Sequence, residues 1–207
     1  MFIKQMITII DYNTCNVGSI NNMLRKLGYD SIISNNREEI KKAEKLILPG
    51  VGSFDKGINN LKDLGLIPII RDKVNSGTPI LGICLGYQLL SRRSEEGKEA
   101  GLGLIEADTL KFSFNNPLLR IPHMGWNTLK NYNDSKLFKG LETEARFYFV
   151  HSYYVSCSNP EIIAAYTDYG DSFASAIEKD NIFGVQFHPE KSHKYGMRVL
   201  TNFINVI

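Results

Sequence analysis

Apolar residues recur along the first half of the chain in short runs separated by helical stripes. The runs with strand character are residues 6–10, 31–33, 45–48 and 79–83. The clearest stripe has the i, i+3, i+4, i+7 spacing of one helical face and consists of Ile20, Met23, Leu24 and Leu27. Further helices are predicted near residues 55–62 and 68–75. This alternation predicts parallel βαβ units, with functional groups at the carboxyl ends of the strands.

The second half carries shorter strand-like segments and a closing helix. The segments are residues 109–112, 125–129, 147–150, 162–166, 173–177 and 182–187. They predict hairpins that extend the sheet with antiparallel strands. The pattern as a whole predicts one α/β domain over residues 1–207: a doubly wound, mainly parallel sheet with helices on both faces and an antiparallel extension.

The bulk composition narrows the class of protein only slightly. Hydrophobic residues make up 43% of the 207 and charged residues 22%, as in ordinary folded proteins. The net charge is +2 and the basic residues are scattered, which argues against a nucleic-acid partner. The apolar runs are too short to span a membrane. Three cysteines leave at least one thiol free, so we expect a cytoplasmic protein.

Residues 82–88 (GICLGYQ) form the clearest candidate for chemistry. An apolar strand runs into a Gly-x-Cys-x-Gly turn and then into a helix, which would lift Cys84 out of the sheet. Free N–H groups and the positive end of the helix dipole would favour a thiolate there. The alternative is a small buried cysteine in an ordinary turn, since free cysteine is among the most buried residue types.

A histidine near the C-terminus is the candidate base for that thiol. His188 ends an apolar strand and is followed by Pro189 and Glu190. Proline favours an extended His188, and residues two apart on an extended segment project to the same side, so Glu190 can reach the imidazole. The pattern predicts a nucleophile, a base and an orienting carboxylate in Cys84, His188 and Glu190. A purely structural His-Pro-Glu turn is the alternative.

Residues 49–52 (PGVG) follow the third strand as a glycine-rich turn. Glycine permits backbone conformations that aim an N–H at an anion, whereas the alternative is merely a tight connection. The segment lacks the Gly-Lys-Ser/Thr ending of a phosphate loop, which argues against nucleotide binding. The charged stretch at residues 92–97, taken alone, indicates a solvated surface loop.

Residues 82–88 and 184–190 (GVQFHPE) resemble the two signatures of the class I, triad-type glutamine amidotransferases, which have a flavodoxin-like fold. PGVG is similar to that family's oxyanion segment. Narrower segments resemble one branch, the glutaminase subunits of imidazole glycerol phosphate synthase: SEEG (94–97), GLG (101–103), PHMGWN (122–127) and HSY (151–153). The motifs follow the family's order over positions 11–191, nearly the whole chain.

The resemblance implies a glutaminase that needs no cofactor and no metal. Cys84 would attack the side-chain amide of glutamine, ammonia would leave, and water would hydrolyse the γ-glutamyl thioester to glutamate. The implied oxyanion donors are backbone N–H groups at Val51, Gly52 and Leu85, the first two after a peptide reorients. The implied glutamine contacts are Gly52, Gln88, Glu96, Ser152 and Tyr153, with the Glu96 carboxylate suited to the α-ammonium group.

The resemblance also implies a partner enzyme, because free ammonia would be lost to protonation and diffusion. We expect that the 207 residues are too few to include a synthase domain as well. The family's (β/α)8-barrel cyclase would then form a heterodimer with it and receive ammonia through a channel, in histidine biosynthesis. The implied interface residues are Asn13, Asn16, Trp126 and Lys191. For Trp126, a position in the core is the alternative.

Several features keep other functions open. The first loop, residues 11–16 (DYNTCN), lacks the family's glycines at positions 13 and 15, which bears on the partner rather than on catalysis. Residues 91–97 also resemble branches that serve amidotransferases of surface-sugar biosynthesis. A free-standing cysteine hydrolase is a further alternative, against which Gln88 and Glu96 argue. The last is a non-catalytic scaffold subunit, against which the intact triad argues.

Overall fold

The computed structural model describes residues 6–13, 17–116, 118–132 and 134–205. The strands of this part of the chain are β1 (Ile7–Ile10), β2 (Ser31–Ser34), β3 (Lys45–Leu48), β4 (Ile80–Ile83), β5 (Arg93–Ser94), β6 (Ala107–Lys111), β7 (His123–Thr128), β8 (Arg146–His151), β9 (Tyr153–Cys157), β10 (Ile163–Tyr169), β11 (Asp171–Lys179) and β12 (Ile182–Val185). The α-helices are α1 (Val17–Lys26), α2 (Arg37–Lys42), α3 (Phe54–Asp63), α4 (Ile67–Asn75), α5 (Leu85–Leu89) and α6 (His193–Asn205).

Ten of the described strands form one sheet, in the order β2-β1-β3-β4-β12-β11-β9-β6-β5, with β10 paired to β11. The half from β2 to β12 is parallel, and β11, β9 and β10 add antiparallel pairs. Strands β7 and β8 form a separate antiparallel pair. Because β1, β3, β4 and β12 end at the same edge of the sheet, the segments that follow them meet there.

Two apolar cores cover the two faces of the parallel half. Along β1, Ile7 and Ile9 face the core that includes α1 and α6, whereas Ile10 faces the core that includes α2, α3, α4 and α5. Side chains that alternate between two buried faces explain why these strands read as continuous apolar runs. The predicted doubly wound α/β architecture with an antiparallel extension is confirmed. In the described part of the chain, no helix has the length and apolar character needed to span a bilayer.

Two strands are not revealed by the sequence pattern. In β9 only Val155 is fully buried, so no apolar alternation marks the strand. Strand β5 lies inside the charged stretch 92–97, where Ser94 is buried and pairs with Thr109 of β6. The expectation of a solvated loop at residues 92–97 is therefore wrong for this part of the stretch.

Helix α5 lies very close to the sheet, and glycine makes this approach possible. A Cβ added at Gly86 would lie 1.7 Å from the carbonyl oxygen of Leu48 in β3. A Cβ added at Gly184 in β12 would lie 2.2 Å from the ring of Tyr87 in α5. No side chain larger than hydrogen fits at either position. The close contact fixes the start of α5 against the carboxyl ends of its neighbouring strands.

Replacement of Gly86 by alanine should destabilise the fold. The added methyl group would overlap the Leu48 carbonyl, and relief requires α5 to move off the sheet, at a cost of roughly 2 kcal/mol or more. Gly18→Ala is the matched control, because nothing lies within 4 Å of a Cβ at that exposed position of α1 and alanine favours a helix by up to ~1 kcal/mol. Chemical denaturation measures both free energies of unfolding, and equal changes would contradict this packing.

Candidate active site

Cys84 lies on the sharp turn between β4 and α5. Its backbone has φ 54° and ψ −109°, a conformation that is rare for a residue with a side chain and that clusters at functional turns. Its N–H donates to the carbonyl oxygen of Val185 at 2.9 Å, which ties the turn to β12. The side chain is only 6% exposed and lines a cavity. The turn thus holds the thiol at the carboxyl edge of the parallel strands.

His188 follows β12 and lines the same cavity. Its backbone is extended, and its N–H donates to the carbonyl oxygen of Tyr148 at 2.9 Å. Nδ1 lies 2.7 Å from Oε1 of Glu190, and both side chains are buried. Nε2 is buried without a nitrogen or oxygen partner among the described residues. The structure therefore brings the two side chains together as predicted, but across a 3-10 helix at Pro189–Lys191 rather than along an extended segment.

The charge on His188 depends on its two neighbours. Burial lowers the pKa of this imidazole, but its interactions with Cys84 and Glu190 outweigh burial and raise the pKa to about 10. The ring therefore keeps its proton at neutral pH. A protonated imidazole stabilises a neighbouring thiolate and can give its proton to a leaving amine.

A cavity of about 290 Å³ joins these groups. Besides Cys84 and His188, its wall contains every residue predicted for the oxyanion and for glutamine, namely Val51, Gly52, Leu85, Gln88, Glu96, Ser152 and Tyr153. The remaining lining residues are Pro122, Val150 and His151. A larger recess of about 380 Å³, beside Ser135 and Glu178, has no thiol or imidazole in its wall. The chemistry-bearing groups therefore converge on the smaller cavity.

The N–H of Leu85, predicted to bind an oxyanion, is engaged in this conformation. It donates to the carbonyl oxygen of Gly50 at 3.3 Å. The first N–H groups of a helix have no partner within the helix, so they donate readily to a carbonyl oxygen held next to them. Gly52 has φ 110°, in the region that favours glycine. The Tyr12 hydroxyl donates to the carbonyl oxygen of Pro49 at 2.5 Å, which anchors the start of this segment.

Two predicted glutamine contacts are held by the protein itself. Nε2 of Gln88 donates to the carbonyl oxygen of Tyr153 at 3.0 Å and to Oε1 of Gln186 at 3.2 Å. Oε2 of Glu96 accepts from the N–H of Phe54, the first residue of α3, at 2.7 Å. Burial raises the pKa of Glu96, although this hydrogen bond lowers it. Glu96 is thus a half-buried carboxylate in the cavity wall rather than a solvated surface charge.

Sequence reasoning assigns no role to two residues near the thiol. Nε2 of Gln186 donates to Sγ of Cys84 at 3.8 Å. His151 lines the cavity beside Val150, whose carbonyl oxygen lies 3.9 Å from Sγ. A signal for Gln186 exists, because it precedes His188 by two positions, and a continued strand would project both side chains to the same side. His151 begins the HSY segment of the family resemblance, but nothing in that segment predicts a position near Cys84, because only the sheet topology brings the end of β8 to this turn.

Two of the predicted interface residues belong to one surface cluster. Trp126 is 46% exposed and stacks on His193, with ring centroids 5.3 Å apart and planes inclined by 6°. It also meets Tyr148 edge-on, and Nζ of Lys191 lies 5.5 Å from the centroid of the Tyr148 ring. The alternative of a core position for Trp126 is therefore wrong.

The other two predicted interface residues lie in the first loop. Asn13 is exposed, with φ 62°, and its N–H donates to Oδ1 of Asp11 at 3.1 Å. This left-handed conformation is one that asparagine tolerates better than most residues, which accounts for its presence where the family carries glycine. Asn16 lies outside the described residues.

The fold and the site together define an α/β protein with a cysteine on a strand-to-helix turn and a buried His–Glu pair beside it, an arrangement suited to nucleophilic catalysis. The family model of class-I glutamine amidotransferases matches residues 8–206, and the chain belongs to this family. The match confirms the family resemblance of the sequence motifs.

Individual relatives align with this chain over almost their full length. The imidazole glycerol phosphate synthase subunit HisH 2 of Methanococcus maripaludis is 58% identical over 200 residues, which cover 96% of this chain and 98% of that protein. The subunit of the same name from Pseudomonas aeruginosa is 44% identical over 203 residues, 98% of this chain and 100% of that protein. Among solved structures, PurLQS from Thermotoga maritima has the same fold, with a TM-score of 0.75 at 20% identity over 99% of both chains.

The free energy of unfolding should fall as the pH rises from 6.5 to about 8, because of His188. Its pKa rises on folding from 6.5 to about 10, so the folded state binds more protons in this window. The stabilisation is complete below pH 6.5 and is lost as the pH rises through 10. One proton corresponds to roughly 1 kcal/mol per pH unit. Chemical denaturation of wild type and Glu190→Gln measures the slope. The variant should have a shallower one, and equal slopes would contradict the role of Glu190.

Proposed function

We propose that this chain is the glutaminase subunit of an imidazole glycerol phosphate synthase and supplies ammonia from glutamine for histidine biosynthesis. The observation that carries the proposal is that Cys84, His188 and the residues predicted to hold glutamine line one cavity. Relatives at 58% and 44% identity, which bear the name of that synthase's subunit, support it.

The proposed reaction uses the Cys84 thiolate and the His188 imidazolium. The thiolate attacks the side-chain carbonyl carbon of glutamine, the tetrahedral oxyanion collapses, and the C–N bond breaks as His188 gives its proton to the departing nitrogen. Ammonia leaves a γ-glutamyl thioester. Neutral His188 then takes a proton from water, which attacks the thioester, releases glutamate and restores the thiolate. Glu190 holds the ring at Nδ1 throughout.

The proposed oxyanion site forms only after a local change. The Leu85 N–H must leave the Gly50 carbonyl before it can bind an oxyanion, and rotation of the 50–51 peptide would also turn the Val51 N–H toward the cavity. Gly50, which flanks this peptide, lowers the cost of such a rotation. Because each donor of this kind is worth on the order of 10²–10³ in rate, the closed arrangement keeps glutamine hydrolysis slow until the segment moves.

Glutamine recognition follows from the charges and dipoles of the cavity wall. The carboxylate of Glu96 pairs with the α-ammonium group, since a half-buried anion binds a cation more strongly than an exposed one. Gln88, with backbone groups of Gly52, Ser152 and Tyr153, binds the remaining polar atoms. A glutamine residue inside a peptide chain lacks the free α-ammonium group and would lose this ion pair.

Substitution of Cys84 by alanine should lower glutaminase activity by a factor of at least about 10³, because it removes the nucleophile. Cys157→Ala is the matched control, because Cys157 is also a free thiol but does not line the cavity. Glutamate release is measured with the partner bound. A glutamine-like electrophile should label wild type and Cys157→Ala but not Cys84→Ala. Undiminished glutamate release by Cys84→Ala would refute the mechanism.

The partner in this proposal is a (β/α)8-barrel cyclase that forms a heterodimer with this chain in the cytoplasm. It docks on a surface that includes the exposed residues Asn13, Trp126 and Lys191, and ammonia passes across the interface. Tryptophan is among the residue types that most often carry binding energy at protein interfaces. Asn16, in the same loop as Asn13, belongs to the proposed surface by sequence position.

Trp126→Ala and Lys191→Ala should each weaken partner binding by about tenfold or more, and should lower glutaminase stimulation at limiting partner. Lys42→Ala, an exposed substitution on α2, is the control. Titration calorimetry with the partner identified by co-purification measures the affinities. Wild-type affinity in both interface variants would exclude this surface, and co-purification of a surface-sugar amidotransferase would overturn the assigned pathway.

A further inference from the structure

A pair of buried histidines, one of which lines the cavity, has no part in the proposed chemistry. His123 of β7 and His151 of β8 face each other across the antiparallel pair, with Nδ1 of His123 2.9 Å from Nε2 of His151. Both are almost fully buried among aromatic rings, and Tyr169 stacks on His123 with centroids 4.0 Å apart. Polar rings in such surroundings are costly unless their nitrogens are hydrogen bonded.

The hydrogen bonds of this pair run in one direction. Nδ1 of His151 lies 2.8 Å from the carbonyl oxygen of Tyr153, which can only accept, so this nitrogen carries the hydrogen. A neutral His151 therefore accepts at Nε2, and His123 donates from Nδ1. Nε2 of His123 then accepts from Nδ2 of Asn127 at 3.3 Å. The network thereby assigns one tautomer to each ring.

Asn127 fixes the far end of this chain of hydrogen bonds. Its Oδ1 accepts from the N–H of Thr128 at 2.8 Å, and its Nδ2 also donates to the carbonyl oxygen of Asp168 at 3.0 Å. The amide therefore has a single orientation. Burial lowers the pKa of His123 to about 4 and that of His151 to about 3, so both rings are neutral near pH 7, as the direction requires.

At the near end the hydrogen bonds reach the cavity wall. The carbonyl oxygen of Tyr153 accepts from Nδ1 of His151 and from Nε2 of Gln88, which itself donates to Gln186. Residues 150–153 all line the cavity. The position of this wall is thus set from two sides, by α5 through Gln88 and by the β7–β8 pair through the histidines.

We propose that His123 and His151 are positioning residues, a neutral hydrogen-bond relay that holds the cavity wall at residues 150–153 in the shape that binds glutamine. The inference rests on the proposed glutaminase function and adds residues that act through the Tyr153 carbonyl. Because the hydrogen bonds of the relay can run in only one direction, they hold the Tyr153 carbonyl in one position. An apolar pair of the same size would leave Gln88 as its only partner among these groups.

Nitrogen-15 NMR of the full chain tests the relay directly. Both rings should be neutral Nδ1–H tautomers from about pH 5 to pH 8, since their pKa values lie below this range. A protonated ring in this range, or an Nε2–H tautomer of either ring, would overturn the proposal.

Steady-state kinetics with the partner bound test the positioning. His151→Leu removes both hydrogen bonds of the ring and should raise KM for glutamine about tenfold, while kcat falls less than about threefold. His123→Leu should raise KM less. His123→Asn keeps an N–H donor near the place of Nδ1 and should recover most of the loss seen in His123→Leu. An unchanged KM in His151→Leu would overturn the proposal, as would equal losses in the two His123 variants.

Alkylation of Cys84 by iodoacetamide probes the same cavity without glutamine. If wild type released no glutamate, the proposed function would fail, but the relay would still be tested, because a displaced wall should change the alkylation rate of His151→Leu at least about threefold. A wild-type rate would count against the relay. If His151→Leu does not fold, the comparison of His123→Leu with His123→Asn decides by the same rate.

Discussion

The backbone of Cys84, at φ 54° and ψ −109°, is the constraint on which the rest of the site depends. Such a conformation costs on the order of 1–3 kcal/mol for a residue with a side chain and persists only where neighbours enforce it. Here the neighbours are the strands on either side. The Cys84 N–H is bound to Val185 of β12, the Leu85 N–H to Gly50 after β3, and Gly86 packs on the carbonyl of Leu48. Each contact requires the parallel half of the sheet to be complete.

That dependence explains why so much of the site could be predicted. The strands that hold Cys84 are apolar runs, so the alternation of strands and helices places residues 49–52, 84 and 188 at one edge of the sheet. The contact of His188 with Glu190 is local in sequence, but its geometry differs from the prediction: only His188 is extended, as a residue before proline should be, and Pro189–Lys191 form a 3-10 helix that brings Glu190 back to the imidazole. The local sequence and the sheet topology thus both predict that these groups come together at one edge of the sheet.

The unpredicted features depend instead on register and on distant strands. His151 reaches the cavity because β8 pairs with β7 in the register that sets it opposite His123, and no pattern in either segment specifies that register. Strand β9 is only partly buried, so its apolar residues do not alternate. The Leu85 N–H donates to the Gly50 carbonyl in this structure, whereas the prediction has it donate to an oxyanion. The sequence alone does not decide which of these two acceptors it binds.

Three buried histidines of the described chain show that charge placement, rather than residue type, separates their roles. Burial lowers the pKa of all three, to about 4 in His123 and about 3 in His151. Only His188 has Cys84 and Glu190 beside it, and its interactions with them raise its pKa to about 10. Since a charged imidazole at His151 would repel that of His188, a neutral His151 favours the single positive charge beside Cys84. The carboxylate of Glu190 lies beside His188 but not beside His123 or His151. Histidine therefore serves as an acid at position 188 and as an uncharged hydrogen-bond donor at positions 123 and 151.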